Sequence, residues 1–304
     1  MPASAGAQPG GIIELADQAM DRRRHRSVWS RFRRHKLALF GFFVLVILGA
    51  SAVFAPWLAP ADPNRTNIRA LTQAPTHSHI LGTDSAGRDV FSRLLHAGRV
   101  SLAVGLVAAS ISSVIGTAIG LTSGYFGGWI DSLLMRFTEY VMTIPTFFAL
   151  IIMVSLLGPS VFNVMWVIGV LGWTGKARLV RGQVLQVREM DFIMAARAVG
   201  AKDRRLVVVH ILPNVIPFVI VAATLTVAGA IITEASLSFL GLGVKIPVAT
   251  WGNMMTAAQS LTILKTQPWL WVPPGVVIAL TVIAVNFLGD GLRDALDPRH
   301  QEKV

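Results

Sequence analysis

Six runs of apolar residues punctuate the chain, separated by polar, basic or Gly/Pro-bearing stretches. The first, Leu37 to Trp57, contains no charged residue. As an α-helix it reaches about 30 Å, the thickness of a bilayer's hydrocarbon core. The other runs lie at about 100–122, 138–157, 161–175, 214–234 and 270–289. The pattern predicts an all-α, polytopic membrane protein with six transmembrane helices. The fourth run is the weakest, because Asn163, Gly169, Gly172 and Gly175 interrupt a short apolar stretch. Five spans plus a re-entrant segment is the alternative, and it places the termini on opposite sides. Pro145 predicts a kink in the third span.

This reading divides the chain into a basic cytoplasmic tail (1–36), a first transmembrane helix (37–59) and an external loop (60–98). A five-helix core (99–290) contains a loop at 189–213, and a cytoplasmic tail (291–304) ends the chain. Asp84 or Asp89 is expected to cap a short amphipathic helix in the external loop. Ala50-Ser51-Ala52 resembles a leader cleavage site, but the preceding basic stretch and the apolar run are both longer than a signal peptide uses. With both termini inside, 20 of the 27 Lys and Arg residues face the cytoplasm. Only Arg65, Arg69, Arg88, Arg93, Arg99, Lys245 and Lys265 lie outside, a bias that sets orientation.

Composition narrows the class. Hydrophobic residues make up 53% and charged residues 14% of the 304, against about 25% charged in soluble domains. A net charge of +11 raises the question of nucleic acid, but the cations flank apolar spans instead of covering a groove-sized face. The chain has no cysteine, which excludes disulfides, thiolate nucleophiles and zinc–thiolate sites.

Along the second span Ala108, Ser112, Gly116, Gly120 and Gly124 recur every four residues. Such a smooth stripe lets helix backbones approach closely where lipid gives no hydrophobic drive for association. Ahead of the fifth span, Met190 to Val199 favours a helix, with Asp191 as its expected N-cap and Gly200 at a left-handed C-terminal cap. Asp203 is expected to cap a second helix, Arg204 to Leu212, with Pro213 and Pro217 marking the entry to the fifth span. Helices near ten residues are marginal alone in water, so this hairpin needs a partner.

The spacing Ala195-Ala196, three residues, Gly200, then Leu212-Pro213 resembles the coupling loop of permease subunits in binding-protein-dependent ABC importers. That loop reads Glu-Ala-Ala, three residues, Gly, nine residues, Ile, any residue, Leu-Pro. Met194 stands here in place of the acid and His210 in place of the isoleucine. Five further stretches resemble the dipeptide, oligopeptide and nickel branch of that family, and its second permease in particular. They are "LGTDSAGRDVFSRLL" (81–95), "GYFGGWID" (124–131), "LSFLGLGVKIP" (237–247), "WGNMM" (251–255) and "GDGLRDALDPR" (289–299). The resemblance implies a type I ABC importer permease fold in a bacterial inner membrane. It implies a heterodimer with a homologous permease, two ATP-binding cassette subunits below and an external solute-binding protein above. It also implies that Met194, Ala195, Ala196, Arg197, Gly200, Leu212 and Pro213 belong to a loop seated in a groove of an ATPase subunit. The solute it implies is a di- or oligopeptide, with nickel or another small solute as the alternative within the family.

A phosphate-cradling Walker A loop needs Gly, four residues, Gly-Lys, then Ser or Thr. The nearest approach, Gly175-Lys176, has Val170 and Ala177 at the other two required positions. This chain is therefore expected to be no enzyme and to bind no cofactor, the ATP and Mg²⁺ being used by partner subunits. Glu234 and Asn286, near span ends, are candidates for the pathway or gate as well as for interhelical contacts. Arg136 and Glu139 are placed to pair on one helix face. His77 and His79 lack a third ligand, and no metal site is expected. A self-sufficient secondary transporter would need ionisable mid-span residues and inverted repeats; an intramembrane hydrolase would need paired catalytic groups at depth. The sequence offers neither.

Overall fold

The computed structural model describes residues 32, 33 and 35–296. The cations between Arg22 and Arg31, together with Arg34 and the chain beyond Leu296, lie outside the described residues. The principal helices are α1 (Lys36–Val53), α2 (Val90–Phe126), α3 (Gly128–Thr143) and α4 (Thr146–Leu157). They continue with α5 (Val161–Leu171), α6 (Thr174–Arg188), α7 (Asp191–Ala198), α8 (Asp203–Phe239) and α9 (Val272–Leu296).

Among the described residues four helices, α1, α2, α8 and α9, are long and apolar enough to cross a membrane. The third apolar run is broken where a kink was expected. Ile144 and Pro145 separate α3 from α4, and the two axes differ by 82°. The bend far exceeds an ordinary proline kink, because both linking residues leave helical geometry. The fourth run, 161–175, is not a span by itself, since α5 has 11 residues. Gly172 and Trp173 interrupt the ladder but keep φ near −85°. Both α5 and α6 then lie along α2. Gly169 of α5 meets Ile111, while Ala177, Val180 and Val184 of α6 meet Gly116, Gly120 and Gly124.

The small-residue stripe is therefore a contact surface. A Cβ on Gly120 would sit 2.6 Å from the Ala177 carbonyl oxygen and 2.7 Å from Val180 Cβ. On Gly124 it would sit 2.8 Å from Val184 Cβ, and on Gly116 2.7 Å from Lys176 Cβ. Ser112, the remaining polar member, is fully buried and accepts the Lys176 ammonium at 2.5 Å. Lys176, grouped by sequence with the solvent-facing cations, is thus enclosed between α2 and α6.

Two helix boundaries correct the sequence reading. The helix that Asp89 caps, through Ser92 N at 2.7 Å, is no short amphipathic piece. It is the start of α2, whose 37 residues run without a break through the boundary expected at 98/99. Likewise Pro213 and Pro217 mark no entry to a separate helix. Asp203–Phe239 is one helix, with a π-turn over Leu206–Ile211 in which Leu212 N reaches back to Val207 O. A π-turn widens the coil directly ahead of Pro213, which has no N–H to give and whose ring crowds the preceding turn. Asn214 Nδ2 takes up the His210 carbonyl at 2.7 Å.

At the Asp89 end, residues 244–271 fold back over the helices. Trp251 anchors this segment, its indole donating to Leu94 O at 3.1 Å and its amide to Ser101 Oγ at 3.1 Å. Glu234 of α8 is fully enclosed beneath it and accepts from Ser238 at 2.7 Å and Ser101 at 3.4 Å.

Because the Gly120 contact is backbone against side chain, Gly120→Ala should cost about 1–3 kcal/mol. Gly229→Ala, in α8 with open space around its Cβ, should be neutral or stabilising by up to about 1 kcal/mol. Thermal unfolding of both variants in detergent tests this; equal melting temperatures would contradict the stripe's role.

Candidate functional site

The region between α6 and α8 forms a hairpin. Its first arm is α7, eight residues long, with Met190 at the N-cap position and no side-chain cap. Asp191, expected as the cap, instead occupies the first helical turn, where its charge favours the positive end of the helix. Gly200 takes φ +85°, the left-handed conformation expected of it. The amide of Gly200 donates to Arg197 O at 3.0 Å and that of Ala201 to Ala196 O at 3.1 Å. This pair of reversed bonds is a Schellman closure, which satisfies the last carbonyls of α7 and turns the chain sharply.

One face of the hairpin is interior. Ile193, Leu206 and Ile211 are fully buried with Val180, Val184 and Val215, and Ala196 and Ala201 pack against the same cluster. The other face is open. Phe192, Met194, Ala195, Arg197 and Val199 are exposed, as are Lys202, Arg204 and Arg205. Val199 stands at 86% exposure, high for an aliphatic residue in an ordered turn. Pro213 is exposed and Leu212 half-buried within α8. An apolar ridge with a cationic rim is the usual composition of a protein-docking patch.

Polar ties fasten both arms to the adjacent end of α2. Arg188, the last residue of α6, donates to the carbonyls of Gly124 and Tyr125 at 3.2 and 3.0 Å. Those carbonyls belong to the last turn of α2, where a cation also meets the helix dipole favourably. Tyr125 donates its hydroxyl to Asp203 Oδ1 at 2.5 Å. One turn further, Asp131 of α3 holds Arg181 of α6 in a two-pronged pair at 2.6 and 2.6 Å and accepts from Ser123 of α2. Bidentate pairs of this kind fix orientation as well as distance. Sequence reading missed these ties. It gave Asp203 a capping role that Lys202 occupies instead, and "GYFGGWID" carries no local signal of what Tyr125 and Asp131 hold.

The remaining candidates scatter. Glu234 lies in the buried knot under Trp251, far along α8 from the hairpin. Asn286 is half-buried on α9 and forms no side-chain hydrogen bond among the described residues. Arg136 and Glu139 are both exposed and do not pair. His79 lies 2.9 Å from Asp89, and no group of three or more His, Asp or Glu side chains suited to a metal occurs among the described residues. A cavity of about 120 Å³ sits at the α3–α4 bend, lined by aliphatic residues with Thr146 and Thr174. Nothing charged lines it.

Comparison with known proteins agrees with this architecture. Residues 116–302 match the family described as binding-protein-dependent transport system inner membrane component. Residues 25–75 match the N-terminal TM domain of oligopeptide transport permease C. The dipeptide transport system permease protein of Bacillus subtilis is 42% identical over 274 residues, covering 90% of this chain and 85% of its own. The oligopeptide transport system permease protein of Haemophilus influenzae is 41% identical over 282 residues, covering 90% and 89%. Its counterpart in Bacillus subtilis is 38% identical over 299 residues, covering 97% and 95%. With most of its length matched in this way, the chain belongs to the binding-protein-dependent transport system inner membrane components and is a multi-pass membrane protein.

Proposed function

We propose that this chain is the permease subunit of an ABC importer that carries di- and oligopeptides into the cell. The observation that carries the reading is the α7 hairpin: rigidly closed at Gly200, buried through Ile193 on one side, and apolar with a cationic rim on the other. A surface of this kind on a membrane protein calls for a soluble partner. The family supplies one class of partner, two ATP-binding cassette subunits that hold ATP and Mg²⁺ and close and open in turn. The permease itself is no enzyme and holds no cofactor. A homologous second permease completes the pathway, and an external binding protein delivers the solute. Peptide as solute is supported by the names of the relatives at about 40% identity.

Six crossings in a type I arrangement follow if α3 with α4 makes one crossing and α5 continued by α6 makes another. Both termini then lie in the cytoplasm together with the hairpin and its cations, as the positive-inside bias requires. Inward transport is a mechanical cycle. Closure of the ATPases displaces the hairpin, and helices with two stable packings convert that displacement into outward- and inward-facing states.

Copurification of the chain with ATP-binding cassette subunits from its own cell, and uptake measured with dipeptides, longer peptides and nickel, test the assignment. Peptide uptake is expected; uptake of nickel alone would move the chain to the other solute class, and absence of ATPase subunits would overturn the reading. A second expectation concerns Gly200. Its Cβ position is open, so any cost of substitution comes from the backbone, about 1–2 kcal/mol or more for a β-branched residue at positive φ. Gly200→Val should weaken ATPase retention and uptake without affecting insertion, whereas Gly200→Asn, which tolerates this conformation, should retain most of both. Equal behaviour of the two variants would exclude the turn geometry as the cause.

A further inference from the structure

The hairpin is not held only by the two helices that lead into and out of it. Arg188, at the end of α6 just before the hairpin, grips the last carbonyls of α2, and Asp203, at the start of α8 just after α7, accepts the hydroxyl of Tyr125, also on α2. Tyr125 is itself buried, and its ring packs among Val180, Val184, Val187 and Ile193. Between these two grips lies α7. Its displacement therefore loads the last turn of α2 through two polar ties. From there α2 runs unbroken for 37 residues to Asp89, and on the way Ser101 meets both Trp251 of the fold-back segment and Glu234.

We infer that Tyr125 and Asp203 form a positioning pair that makes α2 the output rod of the hairpin, transmitting its movement through the protein to the segment around Trp251. The inference rests on the proposed function for the hairpin's partner, but the tie itself belongs to this chain alone. α8 leaves the hairpin through the π-turn, where the helical ladder is widened, so it is the more compliant of the two routes. α2 has no such irregularity in its length. Its glycine stripe keeps it seated on α6, which carries Arg188.

Tyr125→Phe removes one hydroxyl and keeps the packed ring. Asp203→Ala removes the acceptor; Asp203→Asn keeps one. In hydrogen–deuterium exchange on the full chain in detergent, amides of 191–205 should exchange about tenfold faster in Tyr125→Phe and Asp203→Ala. Asp203→Asn should stay near wild type. The double variant should be no worse than either single, because both remove the same bond. In the complex with its ATPases in proteoliposomes, with a labelled alanyl-alanine dipeptide as probe, uptake per ATP hydrolysed should fall about threefold or more. ATPase retention should stay unchanged. Unaltered exchange would remove the tie, and faster exchange with an unaltered uptake-to-hydrolysis ratio would remove its role in transmission. A wild-type complex that hydrolyses no ATP would instead remove the proposed function and this inference with it, whatever the exchange shows.

Discussion

The close approach of α2 and α6 is the constraint on which the rest depends. In a bilayer two helices gain little by hiding apolar side chains from water, so they associate where their surfaces allow dense contact and where polar groups find partners. Both conditions hold along one line. Gly116, Gly120 and Gly124 leave no room for a Cβ against α6, and Ser112 receives the buried ammonium of Lys176. A buried ammonium without a carboxylate is costly unless hydrogen-bonded, which explains why a serine lies at that step of the stripe. The helix that leads into the hairpin is thereby held against α2, which runs unbroken for 37 residues.

The opposite end uses the same logic with different groups. Ser101 accepts from the Trp251 amide while donating to Glu234, so one hydroxyl joins α2, α8 and the fold-back segment. Glu234 is enclosed by hydroxyls and shows no ion pair among the described residues. This makes it a structural knot between elements, joined to the hairpin end by the uninterrupted length of α2. A membrane protein with polar knots at both ends of one stiff helix has a physical route between its two faces.

Much of this was legible in the sequence, where local chemistry decides. The four-residue spacing of small side chains announced a helix contact, and Gly200 announced a left-handed turn, because each needs only the residue and its neighbours. Pro145 announced a disturbance in the third run, but the helix is broken there instead of kinked, with an 82° change of direction that a proline alone does not dictate. Pro213 misled. It read as the entry to a new span, but the π-turn ahead of it absorbs the missing donor and one helix runs through it. The Tyr125–Asp203 bond joins residues 78 positions apart and left no periodic trace, so Asp203 looked like an ordinary cap. Lys176 sat in a basic stretch and looked solvated for the same reason; only the partner helix reveals that it is enclosed.

The account's central claim is that the hairpin stands on the cytoplasmic side as the docking point of a separate motor. Because the chain has no cysteine, Met194→Cys on the exposed face of α7 gives a unique thiol. Its reaction with a membrane-impermeant maleimide should occur only in inverted vesicles, and should be suppressed when the ATPase subunits are present. Labelling from the outside of intact cells, or labelling in inverted vesicles that the ATPases do not affect, would contradict it.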